Sequence, residues 1–276
     1  MTELDISGIG IWSPFFSDWQ AFCEGVNGGD WQQDAPLRPG LIPARELRRS
    51  PQSVKMAVEV LGQACTMSAL DAADMAVVFS SSMGDIQITD YLCRVLADTP
   101  ALVSPTRFHN SVHNATTGYW SIASGTHAPT NAVSAYAYTA PMALFEAAVQ
   151  AAEEDAPVLL VCQEMAAPAA LHFACPSDHP FAMALLLTKP GTYTNALASI
   201  QLSTRQETVD WPQLPEKLEA LFSGNFGARM LPLLAEMAAS SRGPAQAPRT
   251  LGFPLSQGSC LNVSLTMAGA RGAANE

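Results

Sequence analysis

The chain has 276 residues, is 48% hydrophobic and carries a formal net charge of −11. That length buries a full core, and the apolar content excludes wholesale disorder. The acidic balance excludes a nucleic-acid or anionic-lipid surface, because 14 lysines and arginines are too sparse for a phosphate-tracking groove.

In chain order, MTELDISGIGIW has no basic region and reads as lacking a signal peptide. Within it, residues 4–12 (LDISGIGIW) alternate as an opening strand, and the Gly and Pro that follow mark a loop. Arg38, Arg45, Arg48 and Arg49 read as a solvated loop and helix start, with a docking patch for an acidic partner as the alternative. Residues 51–70 are helical, with Val54, Ala57, Val58, Leu61, Ala64, Cys65 and Leu70 at helical spacing. MAVVFSSS (75–82) is a buried strand ending in small residues, ITDYLCRVLA (88–97) a short helix, and residues 109–124 a further helix.

A short strand ending at Val133 and Ser134 then turns through Ala135, Tyr136, Ala137 and Tyr138 into an Ala-rich helix reaching about Glu154. Pro141 falls in that helix's first turn, where a missing N–H does no harm. PVLLVCQE (157–164) and FAMALLLTKP (181–190) are apolar strands. A weaker pattern follows: a strand near 196–204, helices near 214–222 and 226–240, a loop SSRGPAQAPR, and a last strand near 259–267. This alternation predicts a layered α/β fold on a mostly parallel, five-stranded sheet. It divides into residues 1–190, a short extension 191–267 packed on them, and a disordered tail 268–276. No apolar run reaches the roughly eighteen residues of a bilayer span. The six cysteines (23, 65, 93, 162, 175, 260) form no CxxC pair and read as reduced thiols of a cytoplasmic protein.

The turn at 135–138 sits where an enzyme would put a nucleophile, since free N–H groups and the helix dipole lower a thiol pKa there. It holds none. Other clusters are weak. His109 and His113 would share a helix face, but a third ligand and a flanking Glu are absent, so no metal site is expected. His172, Cys175, Asp178 and His179 lie together in one Pro-containing loop, although catalytic partners usually come from separate segments. Ser134 lacks the glycines of a nucleophile elbow, SSSMGD lacks the lysine of a P-loop, and Gly8 and Gly10 lack a third glycine.

Taken together, the segments resemble the N-terminal half of a β-ketoacyl synthase. DISGIGIWSP is similar to that family's opening strand, ITGxGxVSP, and MAVVFSSSMGD to its second strand. VSPTRFHNSVHNATTGYWSIASGTHAPTNAVSAYAYTAPMALFEAA resembles the block leading to the nucleophile, with Asn114, Gly118 and Pro129 at the family's Asn, Gly and Pro. PVLLVCQE resembles the strand ending in GGxE, with Glu164 kept and Val161 and Cys162 replacing the glycines. SQGSCLNVSLTM is faintly like the closing GGxNxxLxL strand. The likeness covers about residues 3–190.

The resemblance implies a thiolase-like layered α/β/α half with a truncated C-terminal part. It puts Ala137 at the family's catalytic cysteine, normally within TACxSS, so no catalytic residue is expected. The family's two later histidines have no counterpart, since no histidine follows Lys189. Such a chain resembles a chain length factor, most of all those of bacterial aryl-polyene pathways. Its implied partners are an active β-ketoacyl synthase, in a heterodimer, and an acyl carrier protein bound mainly through that synthase, with no cofactor. Arg107, Phe108, Val112 and Asn114, with Ala137 and Tyr138, are the implied tunnel or interface residues. Two alternatives stand beside it: a stand-alone enzyme using Cys175 or Cys162 with His172 or His179, and a free acyl-binding or regulatory protein.

Overall fold

The computed structural model describes residues 2–154, 156–241 and 247–268. The strands are β1 (Thr2–Trp12), β2 (Ala76–Ser80), β3 (Thr130–Val133), β4 (Val158–Glu164), β5 (Phe181–Thr188), β6 (Ala198–Arg205), β7 (Arg249–Pro254) and β8 (Cys260–Met267). The α-helices are α1 (Trp19–Val26), α2 (Ala44–Leu47), α3 (Gln52–Ser68), α4 (Ile86–Asp98), α5 (Pro105–His109), α6 (Ala115–Ser124), α7 (Thr139–Glu153), α8 (Glu216–Phe222) and α9 (Leu231–Ser240).

All eight strands form one mixed sheet in the order β3-β2-β4-β5-β1-β6-β8-β7. Only β2 pairs in parallel, with β3 and with β4. The remaining pairings are antiparallel. This corrects the expectation of a five-stranded, mostly parallel sheet. A parallel neighbour needs a crossover, usually helical. Between β4 and β5 the chain makes only a 3-10 turn at Ala169–Leu171, so β5 returns beside β4 antiparallel. β1 then inserts between β5 and β6.

The centre of the sheet is buried on both faces, which is why β4 and β5 are apolar at nearly every position. Val78, Leu160, Met183 and Leu185 point to α7 and α9 in one core; Val77, Phe79, Leu159 and Val161 point to α3 and α6 in the other. The period-2 alternation of a strand thus divides one run between two layers.

Three further readings are corrected. Residues 109–124 are not one helix: α5 ends at His109, a turn follows, and α6 starts at Ala115, so His109 and His113 share no helical face. Helix α1, where a loop was expected, is capped by Asp18, whose carboxylate accepts from Ala21 N–H at 2.9 Å. Strand β7 was not foreseen at all. The expected tail, from residue 269 onward, lies outside the described residues.

Gly8 and Gly10 have a structural use. A Cβ on Gly10 would lie 1.9 Å from the Val60 carbonyl oxygen, and one on Gly8 2.3 Å from that of Ala64. The backbone of α3 therefore rests directly on β1, one helical turn per glycine pair. Gly10→Ala is expected to destabilise the fold by about 2–3 kcal/mol or more in chemical denaturation, because backbone must move. Gly118→Ala, inside α6 with open space at its Cβ, should be neutral or stabilising by up to about 1 kcal/mol. Equal losses at the two positions would contradict the close-approach account.

Candidate functional site

The turn between β3 and α7 is a 3-10 turn over Tyr136–Tyr138. Tyr136 takes φ +52°, a left-handed conformation that costs a bulky residue roughly 1–3 kcal/mol. The bend is held from both sides. Thr139 Oγ1 accepts from Ala135 N–H at 2.8 Å and donates to the Tyr136 carbonyl at 2.7 Å. Ser134 Oγ donates to the Ser82 carbonyl at 3.0 Å, tying the strand end to the loop after β2.

Ala137, at the apex, presents a methyl group that packs partly buried against the core. Its neighbours are clamped by residues that follow β6. The Tyr136 ring meets Phe226 edge-on at 4.9 Å, and its hydroxyl donates to the Ala174 carbonyl at 3.0 Å. Tyr138 stacks on Trp211 with ring centroids 6.2 Å apart, and the Arg229 guanidinium lies 4.5 Å from the centre of that indole.

Behind the turn, Glu164 at the end of β4 is fully buried. Its carboxylate accepts from Ser81 Oγ (3.1 Å), Ser82 N–H (2.9 Å), Ser82 Oγ, and Met83 N–H (3.4 Å). The small residues of SSSMGD thus form a carboxylate cradle. Burial outweighs these donors and pushes the Glu164 pKa up to about 7.

The other candidates disperse. Cys162 and Cys175 are buried, and burial pushes each thiol up to about 12, so neither is a thiolate at neutral pH. His172 faces Asp178 at 3.0 Å, while the His179 ring stands edge-on to Phe15 at 4.8 Å. Among the described residues no hydrogen bond joins either histidine to a cysteine. Arg107 lies over the Tyr91 ring at 4.0 Å. Phe108 and Val112 are 64% and 54% exposed, unusual for apolar side chains, and stand near the end of α5, left largely open by the described residues. Asn114 precedes α6, and its carbonyl accepts from Gly118 N–H and Thr117 Oγ1. Arg45, Arg48 and Arg49 are exposed on and after α2.

Sequence reasoning missed Trp211, Phe226 and Arg229, which come from far along the chain with no motif to mark them. Among the described residues no group of three or more His, Cys, Asp or Glu could hold a metal, and no helix is long and apolar enough to cross a membrane.

Glu164 makes stability depend on pH. The folded chain keeps a proton that the unfolded chain releases above about pH 4.5, so this contribution is complete below that pH. It falls as pH rises and is lost by about pH 7, a change on the order of 3 kcal/mol. Glu164→Gln should remove that slope. Urea unfolding of both proteins at pH 5, 6, 7 and 8 tests it, and parallel pH profiles would refute the assignment.

The β-ketoacyl synthase N-terminal domain model matches residues 19–225, three quarters of the chain. Among solved structures, the ketosynthase ApeO in complex with its chain length factor ApeC, from Xenorhabdus doucetiae, matches at TM-score 0.64 and 22% identity, covering 96% of this chain and 99% of that one. The ishigamide ketosynthase/chain length factor matches at TM-score 0.73 and 16% identity, covering 97% and 99%. AntDE:AntF, a type II polyketide acyl carrier protein in complex with its ketosynthase, matches at TM-score 0.73 and 13% identity, covering 96% and 99%. These identities carry the fold alone. No curated protein matches the chain. The family match, spanning β2 to β6 and the elbow between β3 and α7, makes this chain a member of the β-ketoacyl synthase N-terminal domain family.

Proposed function

We propose that this chain is a non-catalytic, chain-length-factor-like subunit that pairs with an active β-ketoacyl synthase in the cytoplasm and helps shape its acyl tunnel. The observation that carries this reading is Ala137 at the apex of the elbow, where a methyl group cannot accept an acyl chain. The tyrosines beside it are held in aromatic contacts and supply no nucleophilic thiol in its place. The aryl-polyene setting follows the resemblance of the sequence.

Several features support the pairing. Strand β3 is the end strand of the sheet, only four residues long, and among the described residues it pairs only with β2. Its other edge offers unpaired backbone groups to a partner, and an edge left open invites aggregation. Leu102, Phe108 and Val112 add exposed apolar surface of the kind that marks an interface. Arg107, Phe108 and Val112 are the side chains assigned to the end of the partner's tunnel, with Asn114, Ala137 and Tyr138 as further tunnel or interface candidates. An acidic carrier protein would engage mainly the synthase, since this chain carries −11.

The alternative of a stand-alone Cys/His enzyme has two observations against it: Cys162 and Cys175 are buried as thiols, and no histidine bonds them.

Incubation with an acyl-carrier thioester should leave the intact mass unchanged. Stoichiometric acylation at any residue would overturn the non-catalytic reading. Co-expression with an active partner ketosynthase should give a 1:1 complex, and expression alone poor solubility or self-association; a well-behaved monomer indifferent to the synthase would argue the other way. In the complex, Val112→Phe should shorten the products and Val112→Ala or Phe108→Ala lengthen them. A methylene in an apolar pocket discriminates by about 1–3 kcal/mol, tens to hundreds of fold. Product profiles by mass spectrometry read this out. Unchanged profiles from variants that still assemble would reduce the segment to interface packing.

A further inference from the structure

A cleft opens beside Trp211, the indole on which Tyr138 stacks. It has a volume of about 650 Å³, within the range of small-molecule sites, and lies between the segment after β6 and helices α8 and α9. Trp211, Leu214, Phe222 and Pro232 give it apolar walls. Arg229 is the one basic residue among its lining, and Glu216 and Glu219 line its exposed side.

Arg229 is unusually short of partners. Its guanidinium rests on Trp211, and its Nε is buried with no hydrogen bond. Among the described residues its side chain makes no hydrogen bond or ion pair. Glu219 acts on it only through its charge, while burial disfavours the cation. A guanidinium presents five donors in a planar fork matched to a carboxylate or phosphate. A half-buried fork left unused beside an apolar cleft is a site lacking its ligand group.

We infer that this cleft binds a small carboxylic acid with an apolar body, its carboxylate on Arg229 and its body against Trp211 and Leu214. The choice of a monoanion comes from charge. The lining sets one arginine against Glu216 and Glu219, so each further negative charge meets repulsion, and a carboxylate brings one where a phosphate dianion brings two. Because Tyr138 stacks on Trp211, an occupied cleft would also brace the elbow from outside. The inference stands apart from the chain-length reading, since it concerns a free acid and this chain's own residues, and it survives if no synthase partner is found.

Isothermal titration with octanoate, octyl phosphate and octanol tests it, using the purified chain, or its complex if co-expression is needed for solubility. Octanoate is expected to bind at least tenfold more tightly than either other probe. Arg229→Met should weaken octanoate at least tenfold, Arg229→Lys should lie between, and Glu219→Gln should tighten it a few-fold at low salt. Glu219→Gln leaves the Arg229–Trp211 contact in place, so its gain in affinity reads the site even if Arg229→Met fails to fold. No octanoate binding up to about 10 mM overturns the inference. So does equal affinity in the wild type and a folded Arg229→Met, or tighter binding of octyl phosphate.

Discussion

The site depends on one buried carboxylate. Glu164 closes β4 and gathers the two backbone N–H groups and two hydroxyls of Ser81–Met83, so the loop after β2 has one fixed shape. Ser82 then offers its carbonyl to Ser134, and the end of β3 is fixed in turn. From there Thr139 brackets the bend into α7. The first two links join segments far apart in sequence and the third is local, and losing the first would leave buried polar groups unsatisfied. The elbow's shape is therefore maintained by groups that do not depend on what stands at its apex. An alanine there costs the fold nothing.

The left-handed Tyr136 fits the same view. Strain at one residue persists only where the surroundings over-determine it. Here the Thr139 bracket, the Ala174 carbonyl and Phe226 do so together. The aromatic clamp comes from the chain after β6, so the later segment does more than extend the sheet. It occupies the space beside the turn.

The sequence carried the outline of the elbow, because a β-branched run, a turn and an Ala-rich helix with Pro141 in its first turn are local signals. It also carried the buried strands, whose apolar runs survive any change of sheet direction. Direction itself was hidden. VLLVCQE and FAMALLLT have the same apolar character whether paired parallel or antiparallel, and only the missing helix between them told the two apart. Helix α1 was obscured because its eight residues run straight into a Gly- and Pro-rich stretch, although Asp18 was there as a cap. The serines of SSSMGD were legible as small and polar, yet their use required knowing that Glu164 faces them. Trp211 and Arg229 left no trace, since a cation resting on an indole obeys no sequence spacing.

The place of β1 has a consequence for how the chain comes to be made. It is the earliest of the described strands, yet it lies in the interior of the sheet, and Ser7 bonds Thr188, 181 positions further along the chain. During synthesis its apolar residues wait, unpaired, until β5 and then β6 have left the ribosome. Contacts of such long sequence separation form slowly, and the exposed strand is vulnerable meanwhile. Helix α1 and then α3, which rests on Gly8 and Gly10, are the elements available early enough to shield it. The two glycines thus have a second service, as the contact by which a nascent chain can keep its central strand out of trouble.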